Sequence, residues 1–408
     1  MALKNNDMEN DISFKYKNNN MHMFLFNRLF VLIIIILFFI YPLILLPVIA
    51  VISPFVNNQI RIFFSLLSVV FFSLFYSSIT PFSDIAEYVL IYRNIMDINI
   101  FSFGRFGGGI EILILFIMRV VYFISDGNEY AFLLACFTLI QILLFLFCWR
   151  VNPKLSCLYF LIFNLSYAFY AFNAYFLRSM LSVVFLINAF LLYNKKKYAF
   201  YFLSIISHLS SVLYIGVWEF IKARNTKIKA IVLALAAILV VVCIISLRDR
   251  IEYYLFYSNG NSMGYVQALT IVINYLFCFL LLFYSNTRTE LTTKRMFLFL
   301  TFFLLLGLVS YKVPQNFGIR ISLFIYALSP FFIYPLLMSS RVYTSSKIFA
   351  LNFVLLVNCL FFFIILYKGD DVSFYIFENP FDATFIDILR KNITSFSSGY
   401  YSIIYTRA

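Results

Sequence analysis

The side chains able to do chemistry in this sequence are few, and they are unevenly placed. Asp84, Glu87 and Tyr88 stand together in Ser83–Tyr88, with Arg93 shortly after, and Glu111 follows the run Gly107-Gly108-Gly109. Arg178 ends one apolar run and begins another, and His208 sits in Ser207-His208-Leu209-Ser210-Ser211. Lys312 and Arg320 bound a late polar loop. Carboxylates can serve as general bases toward a sugar hydroxyl, and arginines can bind pyrophosphate oxygens two at a time. Each residue also has a plainer reading. Asp84, Glu87 and Arg93 suit a solvated loop. Arg178 suits an interfacial anchor, and His208 suits a buried, hydrogen-bonded histidine. The triple glycine lacks a phosphate-loop pattern and reads as a hinge.

Those residues need elements to hold them, and the composition says what kind. Of 408 residues, 63% are hydrophobic and only 12% are charged, with 54 Phe and 30 Tyr against 12 Gly and 9 Pro. A soluble domain carries roughly a quarter charged residues, so an ordinary globular enzyme is excluded, as are collagen-like and disordered chains. The 31 basic and 18 acidic residues give a net charge of +13. The basic residues lie between long apolar runs, which fits membrane orientation and not nucleic-acid binding. The six cysteines form no CxxC, so neither a zinc site nor a disulfide framework is indicated. No side-chain cluster has metal-ligand spacing, and no cofactor is called for.

A membrane-crossing helix needs some 17–25 apolar residues. The runs that meet or approach this length are Phe24–Ile52, Ile60–Ile79, Glu129–Trp149, Leu155–Phe172, Phe176–Tyr193, Ile228–Leu247, Tyr265–Ser285, Met296–Tyr311, Ile319–Met338 and Lys347–Tyr367. The expected fold is all-α: a polytopic helical bundle of about 10–12 hydrophobic segments, one of them re-entrant. Residues 1–23 form a polar N-terminal tail, too long and polar for a signal peptide's charged region. Residues 24–367 form one transmembrane domain with an external loop at 80–109, and 368–408 form a C-terminal tail.

Two runs do not read as plain spans. Ile110–Ile124 is short and carries Glu111 at its start and Arg119 inside. An arginine facing lipid there costs at least about 2.5–3.5 kcal/mol. It reads as an interfacial or protein-buried helix, with a true span as the alternative. Tyr198–Ile221 has lysines on both flanks, Lys195 to Lys197 before it and Lys222, Arg224, Lys227 and Lys229 after. Both flanks belong in the cytoplasm by the positive-inside rule, which a broken hairpin satisfies and a single crossing does not. With the hairpin, the Arg288/Lys294/Arg295 and Arg341/Lys347 loops become cytoplasmic. Arg178, the Arg248–Gly264 loop, the Lys312–Arg320 loop and the C-terminal tail become external, and so does Pro81–Gly109 if Ile110–Ile124 does not cross. The N-terminus, with Lys4, Lys15, Lys17 and Arg28, also becomes external, against the rule.

The order of these features resembles the EpsG-type and Wzy-type family of bacterial polysaccharide polymerases. The motifs are Ser83-Asp84-Ile-Ala-Glu87-Tyr88 after two early spans, Gly109-Ile110-Glu111, Leu177-Arg178-Ser179-Met180-Leu181 running to Lys195–Lys197, Ser207-His208-Leu209-Ser210-Ser211, and Phe317-Gly318-Ile319-Arg320. The likeness covers roughly residues 60 to 340. It departs from the family at Ser179, where Gln is frequent, at Leu209, where a second His is sometimes found, and in lacking Arg-Tyr before the acidic loop.

The resemblance implies an O-antigen or capsule repeat-unit polymerase, a multi-pass protein of the bacterial inner membrane related to membrane-embedded lipid-linked-sugar glycosyltransferases. Its substrate is an undecaprenyl-pyrophosphate-linked oligosaccharide. Membrane lipids and a chain-length regulator protein are its other partners. Asp84 or Glu111 is the candidate base, and His208 orients or assists. Arg178 and Arg320 bind pyrophosphate or glycan, with Glu87, Tyr88, Arg93 and Lys312 as further substrate contacts. Two rivals fit less well. A flippase for the same lipid-linked unit predicts internal two-fold repetition, which the sequence lacks. A membrane O-acyltransferase needs an early nucleophile or base, and the early histidine, His22, lies in the polar tail.

Overall fold

The structure is a computed structural model. It describes residues 29–81, 83–101, 111–167, 176–192, 194–223, 265–284, 291–310, 327–368 and 383–401, with scattered positions between these ranges. The N-terminal tail, Gly107–Gly109, nearly all of Ile228–Leu247, the Arg248–Gly264 loop and the Lys312–Arg320 loop lie outside the described residues.

The described residues are helical, as the composition requires. The first run becomes two helices, α1 (Leu29–Ile40) and α2 (Pro42–Ile52), which meet at Tyr41. Pro42 supplies no N–H and crowds the preceding turn, so the helix breaks at Tyr41 (φ −132°, ψ 67°) and a new one starts with Pro42 in its first turn. The backbone bonds Tyr41 N to Leu37 O (2.8 Å) and Leu45 N to Tyr41 O (3.0 Å) flank the break. Next come α3 (Asn58–Ser78), α4 (Ser83–Arg93), α5 (Leu113–Ser125), α6 (Glu129–Val151), α7 (Ser156–Asn164) and α8 (Leu177–Leu191). The chain continues through α9 (Lys196–Ser207), α10 (Ser211–Lys222), α11 (Tyr265–Tyr284) and α12 (Leu291–Ser310). A 3-10 turn (Ser329–Ile333), α13 (Tyr334–Met338), α14 (Thr344–Lys368) and α15 (Phe385–Ser398) complete it.

Among the described residues, three helices are long and apolar enough to cross a membrane, namely α3, α6 and the Thr344–Ile364 part of α14. Other runs are broken, each for a local reason. Leu155–Phe172 is interrupted after Asn164, where Asn164 Nδ2 and Ser166 Oγ turn back onto the carbonyls of Phe160 and Phe163 (3.3 and 2.8 Å), and is helical again at Tyr167. The described part of Ile319–Met338 is divided by Pro330 and Pro335, each at the start of a short helix. Pro81–Gly109, read from sequence as a loop, contains the eleven-residue α4.

Polar contacts orient the bundle. Arg61 at the start of α3 donates to the carbonyls of Ser53, Val56 and Pro153 (3.2, 3.0 and 3.4 Å), which joins the end of α2 and the turn after α6. Arg150 near the end of α6 donates to Asn188 near the end of α8 (3.0 Å). These termini and the lysine triplet therefore share one end of the bundle. Glu129, Arg93 and the end of α3 share the other. Between helices, Ser182 meets Ser204 (3.0 Å), Asn188 bonds the Leu143 carbonyl (2.9 Å) and Asn274 bonds Asn358 (3.2 Å). Such bonds average only about 0.6 kcal/mol in membranes, so they set register more than stability. The serines of α3 are self-satisfied: Ser65, Ser68, Ser73 and Ser77 each bond the carbonyl one turn back.

Both exceptional runs resolve clearly. Helix α5 has thirteen residues, about 20 Å at 1.5 Å per residue, and Arg119 is half-buried with Nη2 on the Ile98 carbonyl (2.6 Å). Its arginine is held by protein, as the protein-buried reading requires. The structure starts the helix at Leu113, so Glu111 precedes it. Tyr198–Ile221 folds back on itself. Its legs α9 and α10 have twelve residues each, about 18 Å. At their base Lys197 Nζ and Tyr201 Oη both donate to Glu219 Oε1 (2.9 and 2.8 Å). The lysine-bearing flanks are thereby brought together, and the turn at His208 points toward the opposite end. Lys196→Cys and Lys227→Cys, tested singly in a cysteine-free background, should both be protected from an impermeant thiol reagent added outside. Labelling of either one from that side would refute a hairpin that returns to the cytoplasm.

Candidate functional site

The site forms where the hairpin turn meets α4, α8 and the entrance to α5. At His208 the backbone is extended (φ −157°, ψ 120°), which ends α9, and Ser207 in the last turn bonds back to the Leu203 carbonyl (2.6 Å). Serine side chains compete with helical backbone in this way. Such a break within a membrane protein must find partners in protein. The Leu209 N–H finds one in Glu111 Oε1 (2.8 Å).

Glu111 is the hub. Its Oε1 accepts from the Leu209 N–H and meets His208 Nδ1 at 2.8 Å, while its Oε2 pairs with Arg178 Nη1. Arg178 Nε donates to the Tyr88 hydroxyl (2.8 Å), and its guanidinium carbon lies 5.8 Å from the Tyr88 ring centre. The Arg178, Glu111 and His208 side chains are 14%, 20% and 24% exposed, so the group is mostly enclosed yet reachable. Tyr88 itself is buried. Asp84 lies one turn before Tyr88 and acts electrostatically on both Tyr88 and Arg178.

The charge state follows from these contacts. Burial raises the Glu111 pKa, but the His208 hydrogen bond and charge, the Arg178 charge and the Leu209 N–H outweigh it, and the carboxyl is lowered to about 2. Glu111 is therefore ionised at neutral pH and can only accept. His208 Nδ1, facing an acceptor, must carry a proton. In the neutral ring Nε2 is then the nitrogen that can take a proton, and the imidazolium so formed is the state whose charge acts on Glu111. A base works best with a pKa near the operating pH, so the Glu111 carboxylate suits orientation and charge better than proton abstraction.

The structure thus brings together Tyr88, Glu111, Arg178 and His208, with Asp84 beside them. Glu87 lies half-buried on the same helix and joins none of these contacts among the described residues. Arg93 is drawn elsewhere: Nε and Nη2 grip Glu129 (2.5 and 3.1 Å), and Nη2 also reaches the Tyr401 carbonyl (3.2 Å). There it supplies the cation that the buried Glu129 carboxylate needs. Lys312 and Arg320 lie outside the described residues. Sequence reasoning missed Glu129, which looked like the first residue of an apolar run, and the backbone N–H of Leu209, which no side-chain pattern reveals.

The chain matches the model of the EpsG family over residues 62–379, most of its length. It belongs to the EpsG family. That family includes Wzy-type polymerases and is associated with polysaccharide polymerisation. The match spans every residue of the Tyr88–Glu111–Arg178–His208 group, so the site of this EpsG-family chain lies wholly inside the family region. No curated protein matches the chain. No solved structure matches it.

Proposed function

We propose that this EpsG-family protein is a glycosyltransferase that polymerises undecaprenyl-pyrophosphate-linked oligosaccharide repeat units. It acts as a multi-pass protein at the periplasmic face of the bacterial inner membrane, in O-antigen or capsule synthesis. The observation that carries this reading is the Glu111 carboxylate, which holds a guanidinium and an imidazole together. Glycosyl transfer from a pyrophosphate carrier calls for both groups: a base for the acceptor hydroxyl and a cation for the departing phosphate.

In this mechanism an acceptor-sugar hydroxyl oxygen attacks the anomeric carbon of the donor glycan. The bond from that carbon to the phosphate oxygen breaks, and the pyrophosphate leaves with the electron pair. The hydroxyl proton passes to His208 Nε2, with Glu111 holding the ring by Nδ1. This exchanges the roles suggested by sequence, where an acidic residue was the base and the histidine its helper. The reason is the lowered pKa of Glu111. Arg178 neutralises charge on the leaving group, with Lys312 and Arg320 as further cations, and Tyr88 steers Arg178. Asp84 and Glu87 face the acceptor sugar. Membrane lipids surround the protein, and a chain-length regulator is its protein partner.

Deletion of the gene followed by a gel of surface glycan tests the function. The expected result is loss of the long-chain ladder with a single capped repeat unit retained. Loss of every repeat, the single one included, would instead favour a flippase.

A further inference from the structure

The C-terminal stretch, a tail by sequence, holds a well-made helix. Thr384 accepts from the Asp387 N–H (3.1 Å), and Asp387 accepts from the Thr384 N–H (3.0 Å), a reciprocal N-terminal cap. Gly399 ends the helix at φ 70°, a left-handed conformation that favours glycine. One stripe of α15 packs on the bundle through Phe385, Ile388 and Asn392. The Phe385 ring lies 5.6 Å from Phe38, 5.2 Å from Phe39 and 6.1 Å from Phe71. At the far end Asn128 Nδ2 bonds the Phe396 carbonyl (2.8 Å), and the Tyr401 hydroxyl bonds the Ser77 carbonyl (2.5 Å).

These anchors fix how the helix lies. Its fourteen residues extend about 21 Å at 1.5 Å per residue, too short to cross a hydrocarbon core of about 30 Å. The helix starts beside Phe71, in the last two turns of α3, and ends beside Asn128, just before α6.

A second apolar stripe borders the first and is uncovered: Ile386, Ile393, Phe396 and Tyr400 are 55%, 65%, 53% and 72% exposed. Beside it on α1 lies Phe39, itself exposed and 5.2 Å from the Phe385 ring; Ile36 on α1 and Val70 on α3 are exposed apolar side chains of the same two helices that Phe385 packs on. The opposite side of α15 carries Asp387, Arg390, Lys391, Thr394 and Ser395. An apolar face beside the lipid-facing wall, with cations on the other side, is the pattern of a helix lying in a membrane surface.

We propose that α15 is an interfacial helix, lying in the membrane surface at the site's end of the bundle. Its exposed stripe sits among acyl chains, and Arg390 and Lys391 lie at the level of lipid phosphates. This holds whatever the substrate of the site. It also gives the Arg93–Glu129–Tyr401 contacts a meaning. Tyr401 N donates to Glu129 Oε2 (2.9 Å), and Glu129 holds Arg93, the last residue of α4. The helix carrying Tyr88 and Asp84 is thus tied to a helix that rests on lipid.

The test uses the full-length protein in nanodiscs with Ile393→Trp, an exposed position that accepts the larger ring. Emission of the native Trp149 and Trp218 is subtracted with the parent protein. Lipids brominated near the top of their acyl chains should remove most of the added emission, and aqueous iodide should remove little. Phe396→Trp provides a second position if the first variant is poorly produced. Strong iodide quenching without bromolipid quenching would put the helix in water. Protection from both quenchers would mean that protein, such as a second copy, covers the stripe. Either outcome overturns the proposal.

Discussion

Arg178→Ala is expected to abolish chain extension, and Arg178→Lys to recover only a small part of it. The guanidinium works in two directions at once, with Nε on the Tyr88 hydroxyl and Nη1 on Glu111. Lysine offers a compact point charge on a flexible stem and cannot reproduce that planar fork. An interfacial anchor predicts another pattern, because lysine snorkels as arginine does. Lys would then be near wild type, and Ala would chiefly lower protein level. Breaking an enclosed ion pair also destabilises, by about 3–5 kcal/mol where burial is complete and less at these exposures. Ladder length must therefore be compared at matched membrane abundance. Full extension by the Lys variant at that match would end the case for a pyrophosphate role.

His208→Ala is expected to lower polymerisation by about 10²–10⁴-fold, the usual worth of a positioned acid–base group. Glu111→Gln should fall into the same range for a different reason. Its amide nitrogen would face Arg178 or the His208 Nδ1–H, donor against donor, and the orientation of the ring would be lost. If the two residues act as a unit, the double variant is hardly worse than His208→Ala alone. Losses that multiply would show independent roles and refute the pairing. The pH dependence has a definite sign. The Glu111 pKa is lowered from 4.5 to about 2, so its contacts are fully present above about 4.5 and are lost as pH falls through about 2. No acid limb near 4.5 is expected from this carboxylate. The same assays on Asp84→Asn test the remaining acidic candidate beside Arg178.

Some of this arrangement was legible in the residues alone. Lysines on both sides of Tyr198–Ile221 forced a turn in its middle, and the structure puts the turn at His208. Glu111, Arg178 and His208 stood out because charge is rare among apolar residues. What they touch was not legible, since the partners lie 67 and 97 positions apart in sequence. Arg93 shows the limit: its type and neighbourhood matched the site, but a buried carboxylate on α6 claimed it. Helix α15 shows a different one. Its cap residues, Thr384, Asp387 and Gly399, were visible, yet a modest apolar content made the stretch look like a tail.

The grip of Glu111 on the hairpin turn also bears on how the protein is made. Chains emerge N-terminus first, at roughly 5–20 residues per second, so Glu111 and Arg178 leave the ribosome before His208 does. Each leg of the hairpin is about 18 Å long, too short to cross a bilayer alone, and cannot be inserted as an ordinary span. The hairpin must slide in from the lysine side against helices already seated. Until it does, the carboxylate lacks two of its donors, the His208 ring and the Leu209 amide. Arrival of the turn supplies the ring and the amide in the same step, so a nascent or misinserted chain lacks the assembled Glu111 group.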